Sequence, residues 1–297
     1  MQPDISLIVT TSGRSDHLAR ALQSISLQSH LQESFEVVIA SDGECDATQS
    51  TVQQFAKRVD FSVTLTQQRW SGFRVARSRN NGAIVSRGRY LVFMDGDCLL
   101  PPGYLAWHVQ LRRPGTAVLG DSYRLGKAAS LRISLADVAD FERIQSQVDS
   151  RERFRFVAKT IKSLVRGYLR VPMRPRLTGN NFGLWRCDFE AVNGFDECFV
   201  GWGLEDTDLQ RRLEMAGVRF RTILHRAVPV HLWHEADPSF QRRLHGTPNH
   251  HRFCRELNSP WCQKGLSRAE SMAASPPAGD RIRQTPIEER TVSLVSR

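Results

Sequence analysis

Two carboxylates stand one residue apart where a long apolar run of the chain ends. Residues 90–94 are apolar, and the segment Asp95-Gly96-Asp97 follows them directly. A short apolar run that ends in a turn is typical of a buried strand in a parallel sheet. Ligands of such sheets bind beyond the carboxyl ends of the strands, where an unpaired carboxylate is costly to desolvate. The pair therefore predicts a divalent metal carrying a phosphate, whereas Asp-Gly alone is equally typical of a surface turn.

A further acid follows an earlier strand-like segment. Residues 35–40 predict a strand, and Asp42 comes just after it. Because the carboxyl ends of parallel strands share one edge of the sheet, we expect Asp42 to lie on the edge that carries Asp95 and Asp97. A nucleotide along this edge could meet Asp42 with its base and the later pair with its metal-bound diphosphate. Taken alone, Asp42 before Gly43 is typical of an Asx-turn.

A basic helix-like stretch lies between these two groups of acids. Arg79 and Asn80 precede the strand that leads to Asp95, and a guanidinium there could bind phosphate while an amide binds a base or ribose. Arg74 and Arg77 belong to the same stretch, and the solvated face of a helix is the better interpretation for them.

Another set of polar groups follows the segment Gly201-Trp202-Gly203. A tryptophan between glycines exposes a flat face on which a sugar ring can stack, and Glu205 and Asp206 open the next predicted helix. First-turn carboxylates complement a helix dipole in ordinary proteins, which accounts for the acids but not for the tryptophan loop. A general base at a helix start beside an aromatic platform is a suitable arrangement for a catalytic site.

Two histidines end a last apolar run of the chain. His231 and His234 follow residues 228–230. A lone histidine is more often structural than a ligand. His231, at the end of a strand-like segment, could nevertheless complete a metal sphere begun by Asp97, with His234 as the second choice.

The order of predicted elements indicates the fold class. Strand-like and helix-like segments alternate from residue 5 to residue 120, which predicts an α/β fold with a doubly wound, mostly parallel sheet. With 297 residues, 40% of them hydrophobic, the chain is long enough for one large domain or two small ones. The net charge of +10 predicts an anionic partner, and nucleic acid, a lipid surface and phosphorylated small molecules all qualify.

The composition also bounds the cellular setting. No apolar run is long enough for a transmembrane helix, and the first residues lack the pattern of a secretory signal. Six scattered cysteines without a CxxC pair predict a reduced, cytoplasmic protein rather than a zinc protein.

Residues 151–176 differ in character from the rest of the chain. They carry nine arginines and lysines against one acid, Glu152, with apolar residues interleaved at helical spacing. A basic amphipathic helix of this type can lie on an anionic membrane surface. The alternative is an ordinary helix whose apolar stripe packs on the core, and both hold if the stripe is only half buried. The last residues, 264–297, lack periodicity and predict a disordered tail.

Taken together, these motifs resemble those of the family-2 glycosyltransferases of the GT-A fold. The second half resembles the C-terminal galactosyltransferase-type segment of bacterial chondroitin-type polymerases and animal β-1,4-galactosyltransferases. The resemblance covers residues 5–234. The motifs that carry it are Asp95-Gly96-Asp97, Arg79-Asn80-Asn81-Gly82, Asn180-Asn181-Phe182-Gly183 and Gly201-Trp202-Gly203-Leu204-Glu205-Asp206.

The resemblance implies a role for each site residue. The contacts to the nucleotide-sugar would come from Thr10, Asp42, Arg79, Asn80, Asp95, Gly96 and Asp97, with Asp42 on the uracil side. Asn181, Trp202 and Gly203 would bind the acceptor. Asp206 matches the catalytic base, with Glu205 beside it. Mn²⁺ or Mg²⁺ would be held by Asp97 and His231.

The resemblance also implies the reaction and the division of the chain. A UDP-sugar would donate a hexose or N-acetylhexosamine, galactose-type favoured, to a glycan or lipid-linked glycan hydroxyl with inversion. The setting would be bacterial surface polysaccharide or lipopolysaccharide synthesis, in the cytoplasm or on the inner membrane face, with no nucleic-acid partner. Residues 1–125 would bind the nucleotide-sugar and residues 178–263 the acceptor, with residues 126–177 as a basic insertion.

The sequence departs from the family's pattern at three positions, and two alternative functions are also considered. Ser41 and Thr207 stand where relatives often have acids, and Leu204 stands where the animal enzymes have a glycine. A metal-dependent nucleotidyltransferase would also use acids at strand ends, but it would want a better phosphate loop than residues 10–14. A non-catalytic basic membrane-binding module would leave Asp206 and the carboxylate pair unexplained.

Overall fold

The computed structural model describes residues 2–28, 31–168, 175–224, 226–240, 244–267 and 283–286. The strands are β1 Ile5–Thr11, β2 Phe35–Asp42, β3 Val63–Gln68, β4 Tyr90–Asp95, β5 Cys98–Leu99, β6 Thr116–Leu119, β7 Tyr123–Arg124, β8 Asn181–Trp185, β9 Arg219–Thr222, β10 Val230–His231 and β11 Arg283–Pro286. The helices are α1 Ser15–Ser26, α2 Asp46–Ala56, α3 Val75–Val85, α4 Tyr104–Leu111, α5 Lys127–Arg132, α6 Phe141–Ser146, α7 Ser150–Tyr168, α8 Arg186–Ala191, α9 Glu205–Met215 and α10 Pro248–Phe253, with a 3₁₀ turn at Ala136–Ala139.

An eight-stranded sheet forms the centre of the fold, in the order β11-β3-β2-β1-β4-β8-β6-β9. Strands β3, β2, β1 and β4 are mutually parallel, while β8 runs antiparallel to both β4 and β6. The predicted α/β fold with a mostly parallel sheet is therefore confirmed. A small second sheet, β5-β10-β7, lies at the carboxyl end of β4.

Strand β1 is apolar on both of its sides, as expected for a sheet that is covered by helices on both faces. Every residue of β1 is buried, and successive side chains of a strand point to opposite faces. Leu7 joins a core with α1 and α2, whereas Ile8 joins a core that includes Ala76 of α3 and Phe189 of α8. A continuous apolar strand is what a doubly covered sheet requires.

The segment between the two halves builds a third core. Residues of α5, α6 and the 3₁₀ turn, among them Ile133 and Ile144, pack against Val230 and Leu232. This core supports β10, the strand that ends in His231. Residues 169–174, within the predicted insertion, lie outside the described residues.

The predicted tail falls largely outside the described residues. Two stretches of it differ from the predicted disorder. Leu266 and Ser267 donate backbone hydrogen bonds to Asn193, at 3.0 and 2.7 Å. Residues Arg283–Pro286 pair antiparallel with β3 at the edge of the sheet. Within the described part of the chain, no helix is both long and apolar enough to span a bilayer.

A buried ion pair fixes helix α9 against the second half of the sheet. Asp208 and Arg212, one turn apart, are both 0% exposed and lie 2.7 Å from each other. Arg212 also donates to the carbonyl oxygens of Val192 and Gly194, each at 2.8 Å. Because the first turn of α9 carries Glu205 and Asp206, this anchor sets the position of both acids.

Replacing Arg212 tests the anchor. We expect Arg212→Met to lower the free energy of unfolding by about 3 kcal/mol or more, because two buried carbonyls lose their donor and Asp208 keeps only Arg255, 3.3 Å away. The exposed Arg219→Met serves as a matched control and should change it by about 0.5 kcal/mol at most. Urea unfolding followed by circular dichroism measures both, and equal midpoints for the two variants would refute the role.

Candidate active site

Strand pairing in the small sheet brings the second aspartate to the histidines. In the antiparallel pair of β5 and β10, His231 lies opposite Cys98. The backbone N–H of Leu232 also donates to the carbonyl oxygen of Asp97 at 2.8 Å. This pairing fixes the loop that carries His231 and His234 against the end of the Asp95-Gly96-Asp97 turn.

Asp97 lies between two imidazoles and a guanidinium. Its Oδ1 is 3.3 Å from Nε2 of His231, and its Oδ2 is 3.2 Å from Nε2 of His234. Arg14 Nη1 lies 3.7 Å from Oδ2. Burial opposes ionisation of Asp97, but the two histidines and Arg14 outweigh it and hold the pKa of this carboxyl below its usual value. Asp97 is thus an ionised, buried carboxylate facing two ring nitrogens.

The donor atoms of this cluster fit a divalent metal. Ligand atoms of Asp97, Cys98 and His231 all lie within 4.8 Å of one another. Burial and the neighbouring Asp97 raise the pKa of the Cys98 thiol in the metal-free protein. His234, whose Nε2 lies 3.2 Å from Asp97, adds a further imidazole beside this cluster. Carboxylate oxygens and imidazole nitrogens are both ligands of divalent ions.

Asp95 has a different partner from Asp97. Its Oδ1 accepts a hydrogen bond from Nη2 of Arg79 at 3.1 Å, and Nη1 of the same guanidinium donates to Oε1 of Glu205 at 3.0 Å. Although burial disfavours its charge, the two carboxylates raise the pKa of Arg79. A Cβ at Gly179 would lie 2.2 Å from Nη2, so only glycine leaves room for this guanidinium. Arg79 therefore joins the end of β4 to the start of α9.

The two acids that open α9 lie in different surroundings. Burial, and then the charge of Asp206, raise the pKa of Glu205 to about 7. Its Oε2 is buried and has no hydrogen-bond partner among the described residues. Asp206 is half-buried, and its Oδ1 accepts from the backbone N–H and hydroxyl of Thr207 at 2.6 and 3.1 Å. Both side chains stand at the positive end of the helix dipole.

Leu204, immediately before these acids, adopts an unusual backbone conformation. Its φ is +75°, in the left-handed region that glycine adopts without cost. A glycine in the animal enzymes at this place, as the resemblance suggests, would suit that conformation.

The turn after β4 packs tightly against β1. The N–H of Gly96 donates to the carbonyl oxygen of Thr10 at 2.7 Å, and a Cβ at Gly96 would lie 3.1 Å from Cβ of Thr11. The hydroxyl of Thr10 is buried and has no partner among the described residues, so it remains available to a ligand at this edge.

Asp42 lies at the predicted edge, but protein groups already bind both of its oxygens. Oδ1 accepts from Nε2 of Gln68 at 2.7 Å, and Oδ2 accepts from the backbone N–H of Arg74 at 2.5 Å. Burial raises the pKa of Asp42. In this placement Asp42 closes the end of the site by tying β2 to β3 and α3, and a direct contact with a base must share its oxygens with these donors.

Two predicted contact residues are buried in structural roles. The amide of Asn80 donates to the carbonyl oxygen of Phe195 at 2.9 Å and accepts from the N–H of that residue at 2.9 Å. Asn181 accepts from the hydroxyl of Tyr104 at 2.8 Å and donates to the carbonyl oxygen of Asp121 at 3.1 Å. Both asparagines are fully buried. Because both amides already bind protein groups, a direct contact of Asn80 with the nucleotide or of Asn181 with the acceptor must share or displace these hydrogen bonds, and both contacts stay predictions.

Trp202 and Gly203 form part of an exposed loop. Trp202 is 39% exposed, and its ring meets Phe240 edge-on with centroids 4.6 Å apart. The amide of Asn249 donates to the carbonyl oxygen of Gly203 at 3.0 Å and so ties α10 to this loop. The tryptophan keeps one accessible face, as a sugar platform requires.

Arg14 and Phe240 were not predicted as site residues. Arg14 follows β1 by three residues, so its place at the end of a parallel strand was the available signal. Phe240 lies far along the chain from Trp202, and no spacing rule connects them.

The family models and relatives that this chain matches are those of glycosyltransferases. The model of "Glycosyl transferase family 2" matches residues 6–166, and the model described as "N-terminal domain of galactosyltransferase" matches residues 170–235. Validoxylamine A glucosyltransferase of Streptomyces hygroscopicus subsp. jinggangensis is 30% identical over 225 residues, which cover 73% of this chain and 52% of that protein. The chain thus spans about half the length of this curated relative.

Two further proteins extend the comparison. GalNAc(5)-diNAcBac-PP-undecaprenol beta-1,3-glucosyltransferase of Campylobacter jejuni is 31% identical over 116 residues, which cover 39% of this chain and 36% of that protein. The solved mannosyltransferase PcManGT of Pyrobaculum calidifontis, in complex with GDP-Man and Mn²⁺, superposes with a TM-score of 0.53 at 20% identity, covering 78% of this chain and 57% of that one.

A solved animal enzyme has the same fold. The catalytic domain of Drosophila beta1,4galactosyltransferase 7 superposes with a TM-score of 0.50 at 13% identity and covers 88% of this chain and 82% of that one. These structural likenesses show the GT-A fold. The model of glycosyl transferase family 2 matches more than half of this chain. The chain therefore belongs to glycosyl transferase family 2.

Proposed function

We propose that the protein transfers a hexose from a UDP-sugar to a glycan hydroxyl, with inversion at the anomeric carbon, in the synthesis of a bacterial surface polysaccharide or lipopolysaccharide. One observation carries the proposal. The bridge Asp95–Arg79–Glu205 joins the sheet edge suited to a nucleotide diphosphate with the helix start that carries two acids. A donor at the edge and an acceptor near Trp202 would then meet beside Asp206.

The identity of the hexose is the finer part of the proposal. The galactosyltransferase-type segment at residues 170–235 favours galactose, whereas the Streptomyces and Campylobacter relatives carry names that specify glucose transfer. We take UDP-galactose and UDP-glucose as the two leading donors. A test of donor preference should also include UDP-N-acetylhexosamines and GDP-mannose, which is the ligand of the Pyrobaculum structure.

Metal binding is assigned to Asp97 and His231, with His234 as the third ligand. A divalent ion held there would supply Lewis-acid stabilisation of the charge that grows on the departing diphosphate. The chain's own residues complete the donor site. Arg14 places an accessible guanidinium at this edge, where it can pair with phosphate oxygens, whereas both terminal nitrogens of the buried Arg79 donate to Asp95 and Glu205 and position these acids.

Asp206 is assigned as the general base. Its half-buried carboxylate at the start of α9 stands next to the exposed Trp202 loop, where it can accept the proton of an acceptor hydroxyl. Glu205 is assigned a positioning role because its Oε1 holds Arg79, while its unpartnered Oε2 is available to accept from a sugar hydroxyl. Removal of the acceptor proton makes that oxygen the nucleophile, and the diphosphate leaves from the opposite face.

A donor panel tests the function directly. We expect slow hydrolysis of UDP-galactose or UDP-glucose with Mn²⁺ present, because water can replace the acceptor, and much slower hydrolysis of GDP-mannose. Release of UDP or GDP is measured by coupled assay across the panel, with and without EDTA. Absence of turnover with every UDP-hexose, or turnover that is indifferent to EDTA, would refute the proposal.

The metal assignment predicts a loss of affinity on removal of a ligand. His231→Ala and Asp97→Asn should weaken Mn²⁺ binding by about 100-fold or more, since even outer-shell partners of a metal contribute about 10–100-fold. Isothermal titration calorimetry measures the affinity. His251→Ala, an exposed histidine on α10, is the control and should bind Mn²⁺ as the native protein does. Unchanged affinity in both site variants would exclude this metal centre.

The base assignment predicts a loss of rate rather than of donor binding. Asp206→Asn should lower kcat by about 10²–10⁴-fold because the amide cannot accept the proton, while the affinity for UDP stays the same. Glu214→Gln, on the exposed side of the same helix, is the matched control. Steady-state kinetics with the donor identified in the panel gives kcat, and a rate for Asp206→Asn near that of the control would contradict the role.

A further inference from the structure

Helix α7 exposes a continuous apolar stripe. Five large side chains on one face of the helix are about half exposed or more, and they recur at helical spacing. They are Phe154 at 76%, Val157 at 53%, Ile161 at 55%, Leu164 at 54% and Val165 at 49%. Scattered single apolar residues are normal on a surface, but a contiguous stripe of this length marks an interaction site.

The opposite side of α7 is fixed to the body of the protein. Phe156 is buried against the ring of Tyr123, with centroids 4.3 Å apart. Lys159 forms an ion pair with Asp121 at 2.6 Å. Since the helix is held on this side, the stripe cannot turn inward without breaking these contacts.

The charge of residues 151–176, which include α7, is predominantly positive. Residues 151–176 hold nine cations and one acid, a net charge of +8. The single acid, Glu152, is paired with Arg155 at 2.6 Å and so offers no free negative charge to a partner. Lys162 lies on the helix between stripe residues.

We propose that α7 docks the protein on an anionic phospholipid bilayer. The stripe would enter the boundary between headgroups and acyl chains while the flanking cations meet lipid phosphates. Long basic side chains suit this position because their stems are apolar and their charges reach the headgroups. The inference concerns a surface distinct from the Asp97 and Asp206 site, and it does not rest on the proposed function.

Other occupants fit the stripe less well. A second copy of the chain in a two-fold dimer would set the same basic patch against itself, with repulsion between like charges. Nucleic acid would satisfy the cations but leave the aliphatic stripe in water. An anionic bilayer satisfies both features together.

A cleft of about 760 Å³ borders the stripe and shares Val157 and Ile161 with it. Its lining is mixed, because Phe141, Leu224 and Val228 alternate with the exposed acids Asp140 and Glu142. The contact with a bilayer is therefore assigned to the stripe itself and not to this cleft.

Vesicle binding tests the proposal with the full chain. At about 0.01 M salt, where screening is weak, we expect the protein to sediment with vesicles containing phosphatidylglycerol but not with phosphatidylcholine alone. Raising the salt to about 1 M should release most of it, because the Debye length falls to about 3 Å. The double variant Phe154→Ser with Ile161→Ser should bind at least about tenfold more weakly, and Lys162→Gln about fivefold more weakly.

A matched control and a second measurement make the outcomes decisive. Leu131→Ser removes an apolar side chain that is 70% exposed on α5, outside the stripe, and should leave vesicle affinity unchanged. Equal binding to neutral and anionic vesicles, or full binding by the double variant, would overturn the proposal. So would a native dimer that the double variant dissociates in ultracentrifugation. Donor hydrolysis without vesicles should be equal in all variants, which separates this test from that of the proposed function.

Discussion

The buried guanidinium of Arg79 is the interaction on which the site depends. It holds Asp95 and Glu205, residues from opposite halves of the chain, through hydrogen bonds of 3.1 and 3.0 Å. Removal of the cation would leave the buried carboxylate of Glu205 and the half-buried carboxylate of Asp95 without their shared partner, which is costly. The space for it exists because Gly179 carries no side chain. Asp95 lies at the end of β4 in the central sheet, and Glu205 lies at the start of α9.

The remaining acids differ because their surroundings differ. Asp97 faces two imidazoles and is kept ionised, whereas burial and the charge of Asp206 raise the pKa of Glu205 to about 7. Leu204, with its φ of +75°, precedes these acids at the turn into the helix. Backbone strain of this kind concentrates at functional sites, where the surrounding structure holds it in place. Arg212 and Asp208 provide that support from inside α9.

The features that depend on local periodicity could be predicted from the sequence. The buried strands and the shared edge of Asp42, Asp95 and Asp97 follow from apolar runs that end in acids, and the parallel order of β2, β1 and β4 agrees. Contacts between residues far apart in the chain could not be predicted from the sequence. Arg79 meets Glu205 across 126 positions, and the burial of Asn80 and Asn181 depends on backbone groups that no spacing reveals. For α7, periodicity predicted an amphipathic helix but could not say which face would remain exposed.

Anomalous diffraction can locate the metal ion relative to Asp97 and His231. In a crystal grown with Mn²⁺ and UDP, the anomalous signal of manganese locates the ion independently of any interpretation of the nucleotide. We expect a peak at bonding distance from a carboxylate oxygen of Asp97 and the Nε2 of His231, with the UDP diphosphate beside Arg14. A peak held by other residues, or UDP bound away from the edge that carries Asp42 and Asp95, would contradict it.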